Sequence, residues 1–470
     1  MIAFRTEILV PICESIREYP DRNAFFISGT FYTYRQLAER ISAIRGVIRA
    51  AEIDEAIWAL HLHDDLNTYA SIFALWMEGK AYVPLHPAWP KERLDSVVEQ
   101  IGCHNHLDSC DAAYKEDLLD NWKDVDDDKL AYILFTSGST GKPKGVPLTR
   151  SNLANFVSAF WDIGYKLSEQ DRCLQCFDLT FDLSIISYLV PLLRGACVYT
   201  VPFNAVKFLA ICRLMQEHQL TFALMTPSTI QYLRPYMDEL NFPAMRYSLF
   251  CGEALLLETT VAWAKCIPNA IIDNVYGPTE DTIFCTYYRY KRDGVNKVHN
   301  GVLSIGQSVK SGQVAIFDGE LCLAGKQLTP GYWNNPKKNT EAFFDYDGIR
   351  WYRTGDLCSV DEDGYILFIG RKDSQVKIDG FRIELGEIEY QARQYFNDKV
   401  NVIALTYQND MGLTEIGLFI ESDSFSSKSL EEYLRSKLPQ YMIPSKIIAF
   451  NKFPLNSSEK IDRNALKQML

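Results

Sequence analysis

Short apolar runs alternate with helical patterns through the first two thirds of the chain. AIWALHL (56–62), KAYVPL (80–85), KLAYILF (129–135), GACVYTV (195–201), TFALMT (221–226), YSLFCG (247–252) and NAIIDNVYG (269–277) predict short buried strands. Stretches between them, such as ASIFALWMEG (70–79) and AVKFLAICRLMQEHQ (205–219), predict helices. Alternation of this kind implies an α/β architecture with parallel or mixed sheets. From about Gly301 to Gly348 Gly and Pro become denser. Short alternating strands in QVAIF, ELCLAG and, further on, GYILFIG predict a smaller β-rich part.

A different pattern begins after GRKDSQVKIDG. Phe381–Tyr395 reads as a helix centred on ELGEIEYQ, followed by strands near VNVIALTY and EIGLFIE. A second helix, SLEEYLRSKL, a Pro-containing turn, QYMIPS, and a last strand, KIIAF, complete it. About 100 residues of this α+β mixture are enough for a compact domain. The predicted division is therefore residues 1–372 and 373–470, with the boundary at Asp373. The sequence shows neither an internal repeat nor a low-complexity segment.

Composition narrows the function classes. Hydrophobic residues make up 47% and charged residues 23% of the chain, as in ordinary globular proteins. A formal net charge of −12 argues against a general nucleic-acid or anionic-membrane surface, which needs clustered Lys and Arg. The start of the chain carries Arg5, Glu7 and Glu14, where a signal peptide would be apolar. No apolar stretch approaches the roughly 18 residues of a membrane span. The 12 cysteines lack disulfide-framework spacing, so a cytoplasmic location with reduced thiols is expected. Cys173 and Cys176 form a lone CxxC without a second pair and read as core or loop thiols. The His61/His63 and His104/His106 pairs read as strand or loop faces rather than metal ligands.

The chemistry concentrates in FTSGSTGKPKGV, residues 135–146, which leaves an apolar run. Gly138 and Gly141 permit backbone shapes that converge N–H groups on an anion. Thr136, Ser137, Ser139 and Thr140 add hydroxyls, and Lys142 and Lys144 add positive charge. This suits a polyphosphate; composition alone also allows a flexible polar surface loop. The spacing is not that of the P-loop NTPases. The string resembles the signature loop of the adenylate-forming superfamily, which contains acyl-CoA synthetases, firefly-type luciferases and adenylation domains of nonribosomal peptide synthetases. FYTYRQLAERI, LWMEGKAYVPLHPAWPKERL, FDLTFDLSII, NVYGPTEDT, GELCLAG with LTPGYW, YRTGDL, GRKDSQVKIDGFRIELGEIE, LPQYMIP and SSEKIDR resemble further motifs of that family, in its order. The resemblance implies two α/β subdomains and a β-rich one, then a small mobile C-terminal domain.

It also implies roles. ATP would be bound by Thr136, Ser137, Gly138, Ser139, Thr140, Gly141, Lys144, Gly252, Glu253, Asn274, Tyr276, Gly277, Asp356 and Arg371. Tyr276 would stack on the adenine, Asp356 would hold the ribose hydroxyls, and Arg371 would approach phosphate or ribose. Thr279 would hold the reacting acyl phosphate, and Glu280 would ligate Mg²⁺. Lys460 stands at the family's catalytic lysine, although Ser458-Glu459 precedes it where the family has Asn-Gly. Asp373 matches the hinge, and the backbone near Gly380 matches the loop lining the thiol tunnel.

The acid activated is narrowed by Asp182, which aminoacyl-activating members keep to pair with an α-ammonium group. The neighbouring Asp178 offers an alternative register. The family's pocket positions fall on Leu183, Ile186, Leu224, Leu249, Cys251, Val275, Ile283 and Phe284, none of them charged. A small or medium apolar amino acid is therefore expected. FCGE and FDLS resemble D-alanine–carrier-protein ligases; stand-alone enzymes for proline or aliphatic amino acids are similar. No GGxS motif follows, so a separate phosphopantetheinylated carrier protein is the expected acceptor. The alternatives are an acyl-CoA or aryl-CoA ligase and a binding protein that kept the fold but lost catalysis.

Overall fold

The computed structural model describes residues 2–108, 117–123, 126–138, 143–422, 424–454 and 461–470. Two compact units divide the chain. One comprises residues 1–87, 101–134 and 145–372; the other comprises 88–100, 135–144 and 373–470.

All seven apolar runs form strands. Arg172–Gln175, Cys197–Thr200, Phe222–Met225, Tyr247–Phe250, Ile271–Tyr276 and Asn23–Ile27 pair in parallel within a nine-stranded sheet. Antiparallel strands close its two edges, Thr30–Thr33 at one and Thr286–Arg289 with Gln307–Ser308 at the other. A second sheet orders His106–Leu107, Ile57–His61, Ala81–Leu85, Leu130–Thr136 and Lys144–Thr149. Helices Leu66–Met77 and Asp182–Leu192 are buried on every side, which explains their nearly unbroken apolar sequences. Helix starts follow local chemistry: Thr33 with Gln36, and Thr149 with Asn152, each form a reciprocal cap.

The β-rich part is a five-stranded antiparallel sheet built on the long strand Ile349–Val360. Its hairpin Gly312–Phe317/Glu320–Gly325 turns at Asp318-Gly319, both with positive φ, as a two-residue turn demands. The predicted α/β class with a β-rich part and an α+β C-terminal part is thus observed.

In the second unit, Val402–Gln408, Thr414–Ile420 and Lys446–Ala449 form a mixed sheet. Leu385, Ile388 and Ala392 of one helix and Leu430 and Leu434 of another share its core with Ala404 and Leu418. One sequence expectation is corrected here: the helix starts at Leu385 rather than Phe381. Phe381–Glu384 is a strand paired with Gln375–Ile378. Asp379-Gly380 supplies the two positive-φ positions of that hairpin.

Candidate active site

Six strands of the nine-stranded sheet run parallel, so their C-terminal ends lie on the same side of it. Asp182 is the first residue of the buried helix Asp182–Leu192 and is 6% exposed. Burial raises its carboxyl to about 6, opposed by hydrogen bonds from the Thr279 hydroxyl and the Leu183 and Ile283 backbone; nearby Glu280 raises it further. Among the described residues its Oδ2 has no hydrogen-bond partner.

Thr279 and Glu280 lie in a short 3₁₀ turn after the strand Ile271–Tyr276. Glu280 is fully buried, and the Tyr332 hydroxyl donates to its Oε1 at 2.6 Å. The turn returns tightly. A Cβ on Gly277 would stand 2.4 Å from the Phe284 Cα, so only glycine fits there. Thr282 and Ile283 both have positive φ, at 49° and 75°, a costly backbone for β-branched residues. The Gln327 side-chain amide holds this shape by donating to the carbonyls of Asp281, Thr282 and Phe284. Asp281 beside them is fully buried, and both its carboxyl oxygens lack partners among the described residues. Burial pushes its carboxyl up to about 8.

Asp356 gathers two more of the predicted residues. The Tyr276 hydroxyl donates to its Oδ2, and Arg371 Nη1 donates to its Oδ1 at 2.6 Å. Asn274 donates to the carbonyls of Leu303 and Ser304, which ties its side chain to a neighbouring loop. Glu253 accepts from the Ser228 N–H at the start of a helix, next to Gly252 with φ of 95°. Leu183, Ile186, Leu224, Leu249, Cys251, Val275, Ile283 and Phe284 are all buried within one apolar cluster. Leu224 and Leu249 are direct neighbours across their strands.

Thr136, Ser137, Gly138, Lys144 and Asp373 belong to the second unit. The Ser137 hydroxyl donates to the Arg382 carbonyl at 2.6 Å, and the Gly138 N–H donates to Glu387 at 3.3 Å. The Lys144 ammonium stands 3.9 Å from Glu384. Thr136 Oγ1 is buried without a partner among the described residues. Asp373 accepts from the Gln375 N–H. Ser139, Thr140, Gly141, Lys142, Glu459 and Lys460 lie outside the described residues.

The sequence profile described as "AMP-binding enzyme" matches residues 13–333. The chain belongs to the AMP-binding enzyme family. A linear gramicidin synthase of Brevibacillus parabrevis is 34% identical over 96% of this chain, which spans only 9% of that relative. The D-alanine–D-alanyl carrier protein ligase of Lacticaseibacillus casei is 29% identical, with 98% of both chains covered. The crystal structure of the Vibrio cholerae adenylation domain AlmE with glycyl-adenosine-5′-phosphate superposes with a TM-score of 0.87. It is 26% identical and covers 100% of this chain and 98% of its own.

The donor set of this AMP-binding enzyme also bears on magnesium. Among the described residues no three His, Cys, Asp or Glu side chains converge as a metal cage. Mg²⁺ is commonly held by one or two carboxylates together with phosphate oxygens and water. The buried Glu280 carboxylate fits a metal of that kind. Cys173 and Cys176 are buried thiols, and Cys176 donates to the Leu224 carbonyl, in keeping with a core role. No helix among the described residues is long and apolar enough to cross a membrane.

Sequence reasoning assigned no role to Gln327, Tyr332, Arg93, Glu384 or Glu387. Tyr332, Arg93, Glu384 and Glu387 lie in motifs quoted above and Gln327 lies between two of them, but the partners are distant in sequence: Gln327 reaches residues 281–284, and Arg93 reaches Glu387.

Proposed function

We propose that this AMP-binding enzyme uses ATP to adenylate a small or medium apolar amino acid. The aminoacyl group then passes from the adenylate to the phosphopantetheine thiol of a carrier protein, and AMP leaves. The observation that carries the reading is Asp182, a buried carboxyl at a helix start with one oxygen unpartnered among the described residues. An α-ammonium group would satisfy that oxygen and remove the cost of the buried charge. The uncharged residues Leu183, Ile186, Leu224, Leu249, Cys251, Val275, Ile283 and Phe284 support an apolar side chain. Likeness to a D-alanyl carrier protein ligase and to an adenylation domain crystallised with glycyl-adenosine-5′-phosphate supports both halves of the reaction.

In the first step the substrate carboxylate attacks the α-phosphate and pyrophosphate leaves. Thr279 holds the reacting acyl phosphate. Asp356, with Tyr276 and Arg371 bonded to it, presents a fixed acceptor to the ribose hydroxyls. Glu280 holds Mg²⁺, which when bound neutralises phosphate charge. Ser137, Gly138 and Lys144 serve the polyphosphate, with Lys460 as the cation between the two reacting anions. Asp373 is the hinge at which the C-terminal segment, residues 373–470, changes position between the two steps.

Amino-acid-dependent ATP–pyrophosphate exchange across the common amino acids and their des-amino analogues tests the reading. Exchange with one or a few apolar amino acids is expected. Exchange driven equally well by propionate or a longer fatty acid would refute it.

A further inference from the structure

Ser137 and Gly138 stand at one described end of the Gly- and Ser-rich loop, and Lys144 stands at the other. All three engage partners from the segment Arg382–Glu387, within the second unit. The Ser137 hydroxyl donates to the Arg382 carbonyl at 2.6 Å and accepts from the Glu384 N–H at 3.2 Å. Glu387 Oε2 accepts from the Gly138 N–H at 3.3 Å. Glu384 Oε1 lies 3.9 Å from the Lys144 ammonium and accepts from the Gln375 amide at 2.7 Å.

Glu387 is itself held. Arg93, from the helix Lys91–Ile101, donates to its Oε1 at 3.0 Å. The Arg93 guanidinium lies over the Trp89 ring, 5.1 Å from its centre. Both partners are nearly removed from water, at 5% and 1% exposure. A pair buried so deeply, with one carboxylate oxygen left for a loop N–H, is an anion fixed in position rather than a surface charge.

A glycine N–H, a serine hydroxyl and a lysine ammonium are the donors that a polyphosphate takes. One N–H cannot serve two anions fully. We propose that the carboxylates of Glu384 and Glu387 are a built-in substitute for polyphosphate on this loop, with Arg93 the positioning residue that holds Glu387 there. The loop then carries either the chain's own carboxylates or a polyphosphate. The substitute rests on the proposed function only in taking that polyphosphate to be the one ATP supplies. In the two-step reaction it gives an order: the carboxylates settle on the loop once pyrophosphate has gone, and rebinding of pyrophosphate must displace them.

The test is binding of magnesium pyrophosphate to the full chain, by calorimetry, with no amino acid present. Arg93→Met combined with Glu387→Leu removes both buried charges together, so neither is left unpaired. Glu384→Gln is the milder second variant. An occupant that fills the loop most of the time weakens apparent affinity by the fraction left free. Pyrophosphate is therefore expected to bind about tenfold tighter to the double variant and a few-fold tighter to Glu384→Gln. Residues with a purely structural role would not produce such a gain. Equal or weaker binding by both variants, with melting temperatures like the wild type, overturns the substitute. Absence of pyrophosphate binding by all three proteins overturns it together with the proposed function. Tighter binding by the variants, without exchange for any amino acid, supports the substitute and sinks the proposed function alone.

Discussion

Asp182 and Glu387 are both carboxylates in the first turn of a helix, and both are almost completely removed from water. Asp182 has one oxygen with no partner among the described residues, and burial raises its carboxyl to about 6. Glu387 has the Arg93 guanidinium on one oxygen and the Gly138 N–H on the other. Burial raises it too, but Arg93 and the Gly138 N–H pull it back. The difference separates two uses of the same group. A buried carboxylate without a cation is stabilised by a ligand that brings one. A buried carboxylate with its cation is already complete and acts as an anion toward whatever it touches.

The largest expected effect belongs to Lys460, the cation proposed to act between two reacting anions. Lys460→Ala is expected to lower pyrophosphate exchange by about 10² or more, the size of a lost charge-stabilising contact. Equilibrium binding of the amino acid, proposed to rest on Asp182, should stay near wild type. Near-normal exchange in the purified variant would remove Lys460 from the mechanism.

Asp182→Asn comes next. Losing one partner of a buried charge pair costs about 2–5 kcal/mol, so kcat/KM for the preferred amino acid should fall about 10²-fold. The wild type should reject the des-amino analogue, and the variant should lose its preference between the two. If the variant still favours the amino acid as strongly as before, Asp178 becomes the better candidate for the ammonium partner.

Stability should distinguish the two carboxylates in opposite directions. Glu387→Gln leaves Arg93 buried without its counter-charge and should cost about 3–5 kcal/mol. Asp182→Asn removes a buried charge that has no cation, and should leave the ligand-free protein as stable as before or more so. Thermal or urea unfolding of the two variants without ligands decides it. A similar loss from both would mean that Asp182 has a partner in the ligand-free protein after all.

The sequence carried the fold in its short apolar runs, because each buried strand of a parallel sheet is apolar on both faces. It misplaced the start of the Leu385–Tyr395 helix because apolar and charged residues in FRIELGEIE continue a helical spacing. The Asp379-Gly380 turn, a strong hairpin signal, is what settles Phe381–Glu384 as a strand. The candidate site was legible where a single buried carboxyl stands in a recognisable motif, as with Asp182, Glu280 and Asp356. It was not legible where the chemistry is a pair. Arg93 and Glu387 are 294 positions apart, and nothing local in either says that the other is its partner. Gln327 looked like an ordinary residue of a Gly- and Pro-rich segment until the strained turn at Thr282 and Ile283 gave its amide three carbonyls to hold.

The smallest expected effect is a pH dependence that belongs to Asp182 alone. Its carboxyl is raised from 3.8 to about 6, chiefly by burial. The folded ligand-free protein therefore keeps this proton up to about pH 6, whereas the unfolded chain releases it near pH 4. Between those values the folded state binds more protons, so this group's contribution to stability falls as the pH rises. Ligand binding has the opposite sign. The α-ammonium of the amino acid stays protonated, and its carboxyl stays ionised, throughout that window. Only ionised Asp182 can pair with the ammonium, so KM for the amino acid should rise as the pH drops below about 6, by close to tenfold per unit. Thr279, Leu183 and Ile283 pull the carboxyl down and Glu280 pushes it up, so Thr279→Val should move the break to higher pH. Initial rates of exchange at fixed ATP and varied amino acid, from pH 5 to 8, measure both, with Asp182→Asn as the control. A KM that climbs equally in that control would assign the break to another group.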